Sequence, residues 1–312
     1  MHPFILPLPN NATVAGIHSI PPPSIPLQTR PLIVALHGGT YNCHYFDATP
    51  TYTAATTSHA LNIPFIAIDR PCYGGTTSFL PLDPGSPFNE EIARHLHQSI
   101  LPALWTEFGL PNNCNSLVLL CHSFGSMSGI ITAALHAQDR NPAYPLAGLI
   151  LSGMGDKQTV GIENAPPMQP NAGPEHVLFQ LPGKDSLMFR PGTVDASVLE
   201  QSERLNAASP VVEFHQVKAW LRDWKGWAGK VAVPVMFALV ENDVFCEASE
   251  AEVRLCVEAF GRSERVDGSF VRGPPHCMEL SYWAGGWYAR CFGFAMECAV
   301  GVWARSAGEV SE

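Results

Sequence analysis

A hydroxyl, a carboxylate and an imidazole, each following a short apolar run, are the parts of a nucleophilic relay. This chain of 312 residues carries them in that order. In SLVLLCHSFGSMSGIITAAL (116–135), apolar residues lead into Cys121-His122-Ser123-Phe124-Gly125 and then into a small-residue helix. Ser123 reads as a helix N-cap or as a nucleophile on a strained strand-to-helix elbow. The elbow pattern is small-x-Ser-x-Gly, with Cys121 where glycine is usual. Downstream, VPVMFALV (233–240) runs into Glu241-Asn242-Asp243. Asp243 is placed to accept a hydrogen bond from an imidazole and fix its tautomer, with Glu241 as the neighbouring competitor. In SFVRGPPHCMEL (269–280), His276 follows a last strand and precedes the final helix, a position for a general base. Upstream, ALHGGTYNCHYF (35–46) sets a glycine pair directly after a strand. The N–H of Gly39, or failing that of Thr40, could join that of Phe124 in binding an oxyanion. A tight turn needing positive φ is the plainer account of the two glycines.

These groups need a scaffold that brings distant segments to one edge. Leu32–Leu36, Pro64–Asp69, Leu117–Cys121, Leu146–Ser152 and Val233–Val240 are apolar throughout, as strands of a parallel sheet covered on both faces are. Helical patterns alternate with them over 44–60, 88–107, 123–138, 246–260 and 278–305. The proline-rich first thirty residues suit edge strands and turns. From 155 to 229 the pattern breaks into loop-like and short helical pieces, which reads as an insertion over the sheet. The implied organisation is a core of 1–154 and 230–312 with a cap over 155–229.

Composition narrows the function. A formal charge of −10 without a long basic run excludes nucleic acid and anionic membranes as expected partners. No apolar stretch is long enough to span a bilayer, and the start lacks a basic leader before an apolar segment. The nine scattered cysteines fit reduced, buried thiols, so a cytoplasmic setting is expected. His95 and His97 diverge on a helix, and the cysteines lack metal-ligand spacing, so neither metal nor cofactor is expected. Trp220, Trp224 and Trp227 fall on one helical face. With Phe179, Met188 and Phe189 they could line a pocket for a hydrophobic small molecule, or they pack the insertion onto the core. Oligomeric state is not readable.

Glycine turn, Ser, Asp and His in this order make the chain resemble the α/β-hydrolase family over nearly its full length. The resemblance rests on His37-Gly38-Gly39, Asp69-Arg70-Pro71-x-x-Gly74, Cys121-His122-Ser123-Phe124-Gly125, Asp243 and His276. It implies an α/β fold with an eight-stranded, mostly parallel sheet flanked by helices and a helical cap inserted after the sixth strand. It also implies a structural turn around Asp69, without chemistry. The tail PPHCMELSYWAGGWYARCFGFAMECA is similar in style to stand-alone hydrolases of fungal secondary metabolism. The expected chemistry is hydrolysis of an ester or thioester through a Ser123 acyl-enzyme. A C–C bond-cleaving or cyclising enzyme, or a non-catalytic binding protein on the same scaffold, are the alternatives.

Overall fold

A computed structural model describes residues 1–9, 11–23, 28–83, 85–159, 175–181 and 183–309. Eight strands form one sheet: β1 (His2–Pro7), β2 (Thr13–Ser19), β3 (Pro31–Leu36), β4 (Phe65–Ile68), β5 (Ser116–His122), β6 (Leu146–Ser152), β9 (Val235–Asn242) and β10 (Val266–Pro275). Their spatial order is β1-β2-β4-β3-β5-β6-β9-β10. The six from β4 to β10 run parallel, and β1 and β2 are antiparallel on one edge. Two short strands, β7 (His176–Val177) and β8 (Ser209–Pro210), pair in the connection from β6 to β9.

The continuous apolar runs follow from burial on both faces. Leu32, Val34, Leu36, Leu117, Leu119, Leu149, Leu151, Phe237 and Leu239 pack to one side, with the helices Phe88–His95, Phe124–Gln138, Val217–Ala228 and Glu250–Glu258. Ile33, Ala35, Val118, Leu120, Ile150, Met236 and Ala238 pack to the other, against the last helix, Ala284–Glu309. A side-chain period of two thus divides each strand between two cores. Each core residue removed from water contributes on the order of 1.5–3 kcal/mol.

The helices differ from the expected spans for local reasons. The 44–60 pattern splits into a 3₁₀ turn, Cys43–Phe46, and a helix, Ala55–Leu61. Between them Thr49 Oγ1 accepts from the N–H groups of Thr51 and Tyr52, side-chain bonds that compete with helix. The 88–107 pattern reaches Asn112, interrupted by wide five-residue turns at Leu96–Ile100 and Trp105–Gly109. Pro102, which cannot donate to an upstream carbonyl, lies between those turns. The chain over 175–228 does contain short helices; 160–174 and 182, part of the expected insertion, lie outside the described residues. All nine cysteines are free and buried. Among the described residues no helix is long and apolar enough to cross a membrane.

Candidate active site

Five loops leave the C-terminal edges of parallel strands at one place: after β3 at His37, β5 at Ser123, β6 at Gly153, β9 at Asp243 and β10 at His276. Open parallel sheets bind ligands beyond this edge. Ser123 has φ 52° and ψ −122°, a conformation that costs a non-glycine residue on the order of 1–3 kcal/mol. Its side chain makes no cap to the helix it precedes, so the N-cap reading fails. The strain is held by neighbours. Ser123 N–H donates to Ser152 O at 2.8 Å, and Ser126 N–H to Ser123 O at 2.8 Å. Ser126 Oγ lies 3.1 Å from both Cys121 O and Ser152 O, and its one hydrogen is shared between these two acceptors. A Cβ on Gly125 would lie 2.5 Å from Leu36 O, so the helix can approach β3 only with glycine there. Cys121 is tolerated because Gly129 faces it: a Cβ on Gly129 would stand 2.4 Å from the thiol.

The Ser123 hydroxyl donates to His276 Nε2 at 3.1 Å, and His276 Nδ1–H donates to Asp243 Oδ2 at 2.8 Å. The Asp243 side chain is fully buried, and its other oxygen, Oδ1, accepts from Phe245 N–H at 2.8 Å. Burial opposes the charge of Asp243, but His276 and these hydrogen bonds outweigh it and hold the carboxyl below the usual range. Glu241 points elsewhere, accepting from Gly273 N–H. The three residues span 153 positions of sequence yet form one connected chain.

Gly38 and Gly39 fit against the elbow because they lack Cβ atoms. A Cβ on Gly38 would lie 2.9 Å from Ser123 Cβ, and one on Gly39 2.8 Å from the Phe124 ring. Gly39 and Phe124 line the cavity beside Ser123, and among the described residues neither N–H has a protein acceptor. Thr40, the second candidate donor, is in a different position. Its N–H donates to Ser209 Oγ at 2.8 Å, so it is occupied. Its carbonyl accepts from Ala207 N–H and from Lys184 Nζ, at 2.9 and 2.8 Å. His37 donates through Nδ1 to Gly38 O at 2.7 Å and accepts at Nε2 from Arg70 N–H, so it braces the turn. Burial lowers the basicity of His37 well below the ordinary value. Asp69 accepts from the N–H groups of Cys43 and Gly75, a structural turn as the sequence implied.

Ser123, His276 and the glycine turn open onto a cavity of ≈ 400 Å³, within the common range for small-molecule sites. Phe124, Met154, Phe179, Met188, Phe214 and Phe245 supply much of its wall, and Gln158, His215 and Lys218 are its polar members. Phe179 and Met188, two of the residues the sequence offered for a pocket, line this cavity. Trp220 and Trp224 do not. Both are buried in the core against the helix Phe124–Gln138, and Trp224 Nε1–H donates to Asp156. The stripe faces the sheet because its residues occur every three to four positions and that face meets the elbow helix. Phe189 joins the opposite core. The sequence did not single out Phe214, which lies in a five-residue helix, Val211–His215, or Met154 and Phe245, which lie in loops after β6 and β9.

Comparison with known proteins agrees with this geometry. The model of the α/β hydrolase family matches residues 33–285. Among solved structures, a putative lipase from Acinetobacter baumannii aligns over 96% of this chain and 92% of its own at 12% identity, TM-score 0.60. An esterase from Exiguobacterium antarcticum aligns over 95% and 99% at 14% identity, TM-score 0.60. An N-acyl homoserine lactonase, AidH, solved with N-butanoyl homoserine, aligns over 96% and 97% at 14% identity, TM-score 0.60. At these identities the likeness is one of fold. No match is found among curated proteins. With most of its length under the family model, and with that family's sheet, the chain belongs to the α/β-hydrolase family of enzymes.

Proposed function

We propose that the protein is a serine hydrolase cleaving an ester or thioester of a hydrophobic small molecule. The observation that carries this reading is the unbroken Asp243–His276–Ser123 chain beside an apolar cavity and two N–H groups that have no acceptor among the described residues. Ser123 attacks the carbonyl carbon while His276 Nε2 takes the hydroxyl proton, and Asp243 steadies the imidazolium. The N–H groups of Gly39 and Phe124 hold the oxyanion of the tetrahedral intermediate. His276 then gives its proton to the leaving group. Water, deprotonated by the same imidazole, releases the acyl group from Ser123 Oγ.

Residues 155–229 serve as a cap that contributes Phe179, Met188 and Phe214 to the substrate wall. Such a wall favours bulky apolar acyl or alkyl groups over acetyl. Screening against p-nitrophenyl esters of graded length, beside Ser123→Ala, tests the reading. Activity should rise from acetyl to longer chains and fall by a factor on the order of 10⁶ in the variant, judging from another serine hydrolase. Unchanged turnover in Ser123→Ala refutes it.

A further inference from the structure

A second polar cluster lies directly behind His276. His122, fully buried, has its ring centroid 4.8 Å from that of His276. Its other face stacks on Tyr45 at 4.9 Å, with 13° between the planes. The two imidazoles meet beside Gly153, where a Cβ would stand 2.6 Å from His122 Cε1 and 3.1 Å from His276 Cε1. Gly153, with φ 66°, leaves that space open. His122 Nδ1–H donates to Ser152 Oγ at 3.0 Å, and the Ser152 hydroxyl donates to Glu279 Oε1 at 2.9 Å. Glu279 Oε2 lies 3.5 Å from His122 Nδ1.

Glu279 is fully buried, and among the described residues neither Lys nor Arg pairs with it. Instead three neutral donors converge on its carboxyl: Tyr45 hydroxyl at 2.7 Å, Ser152 hydroxyl at 2.9 Å and Trp287 Nε1–H at 2.9 Å. An ionised carboxylate accepts from all three groups at once, and the Trp287 N–H can only donate. The arrangement is built for an anion. We propose that Glu279 is a positioning residue whose buried negative charge, set behind Ser152 and His122, favours the imidazolium form of His276. The proposal rests on the roles given above to Ser123 and His276. No proton passes to Glu279: in the attack step the proton moves only from Ser123 Oγ to His276 Nε2.

Among the described residues no Lys or Arg pairs with Glu279 or with His276. His276 faces Asp243, His122 and the Phe245 ring. Burial lowers the basicity of His122 well below the ordinary value, so the imidazole between the two sites stays neutral. Around Glu279 stand Tyr45 of the 3₁₀ turn, Cys277, and Tyr288 and Cys291 of the last helix. Burial and the Glu279 charge push all four upward, so each stays neutral. Burial holds the Glu279 carboxyl above the usual carboxylate range, and the three donors offset only part of that rise. Lys184, from the β6–β9 connection, acts on Cys277 and His37, and burial lowers its own ammonium to about 7.

The test is the pH dependence of the rate at which a fluorophosphonate labels Ser123, measured on wild type, Glu279→Gln and Tyr45→Phe. Removing the negative charge makes the imidazolium easier to deprotonate. The acid limb of the profile should therefore move down by about one pH unit in Glu279→Gln, with a plateau several-fold lower. Tyr45→Phe deletes only the shortest donor and leaves the packing, so it stays informative if the glutamine variant does not fold. Its limb should move the same way by less. A merely structural role for Glu279 lowers the plateau and leaves the limb in place, and coincident limbs overturn the inference. A wild-type protein that the probe leaves unlabelled removes the nucleophile itself, and both readings with it.

Discussion

The elbow at 121–125 and the aromatic helix at 217–228 lie back to back, yet they are held in opposite ways. Ser123 sits in a disfavoured conformation fixed by backbone hydrogen bonds and by glycines that let three segments touch. Trp220 and Trp224 sit in ordinary helix, fixed by burial against the helix that Ser123 begins. One region stores strain at the site and the other supplies packing behind it. Substitutions should therefore separate the two: changes at the elbow and its partners act on rate, and changes on the tryptophan face act on stability.

The largest expected effect is on rate. Asp243→Asn keeps the size of the side chain but presents an amide to His276 Nδ1, which favours the wrong tautomer. Turnover should fall by about 10⁴, as in another serine hydrolase, while the melting temperature changes little by comparison. A variant within tenfold of wild type would mean that the imidazole is oriented from elsewhere. The tryptophan face should give the reverse result. Trp224→Ala should cost about 3–5 kcal/mol of stability and leave the order of preference among ester lengths unchanged. Phe214→Ala is the control on the cavity side. Phe214 stacks edge-to-face on Phe124 at 5.1 Å and lines the cavity, so its loss should shift selectivity between neighbouring chain lengths by roughly tenfold or more. Equal effects of the two variants on selectivity would dissolve the contrast.

The same contrast explains what could be read from the sequence. Strands β3 to β6 and β9, Ser123, Asp243 and His276 were legible because each is a local pattern: an apolar run, then a turn, then one reactive side chain. Gly39 was legible for the same reason. The contacts that complete the site were not. Arg70 in the turn after β4 pairs with Glu213 at 2.6 Å across 143 positions, both fully buried. Ser209 takes the Thr40 N–H from 169 positions away. Glu279 reaches Tyr45 across 234. No spacing rule relates such residues, and each alone has an unremarkable setting in sequence. The tryptophan stripe was visible as a periodicity, but periodicity defines a face and not what the face meets.

The effect furthest from the chemistry concerns the link between the β6–β9 connection and the glycine turn. Lys184 is buried, donates to Thr40 O at 2.8 Å and to Leu205 O at 3.1 Å, and lies 3.8 Å above the Tyr41 ring. Burial lowers its ammonium from 10.5 to about 7. Between those two values the unfolded chain binds a proton that the folded chain does not, so this group makes stability rise with pH across that window. Below about pH 7 both states are protonated and the burial penalty is constant. Lys184→Met removes the titration. The difference in stability between wild type and variant should therefore shift in favour of wild type from pH 7 to 10 and stay flat from pH 5 to 6.5, read by denaturant unfolding. A flat difference throughout would mean that the amine keeps its proton in the fold, with the Thr40 and Leu205 carbonyls and the Tyr41 ring compensating its burial. The hold on the turn next to Gly39 would then be that of a full cation.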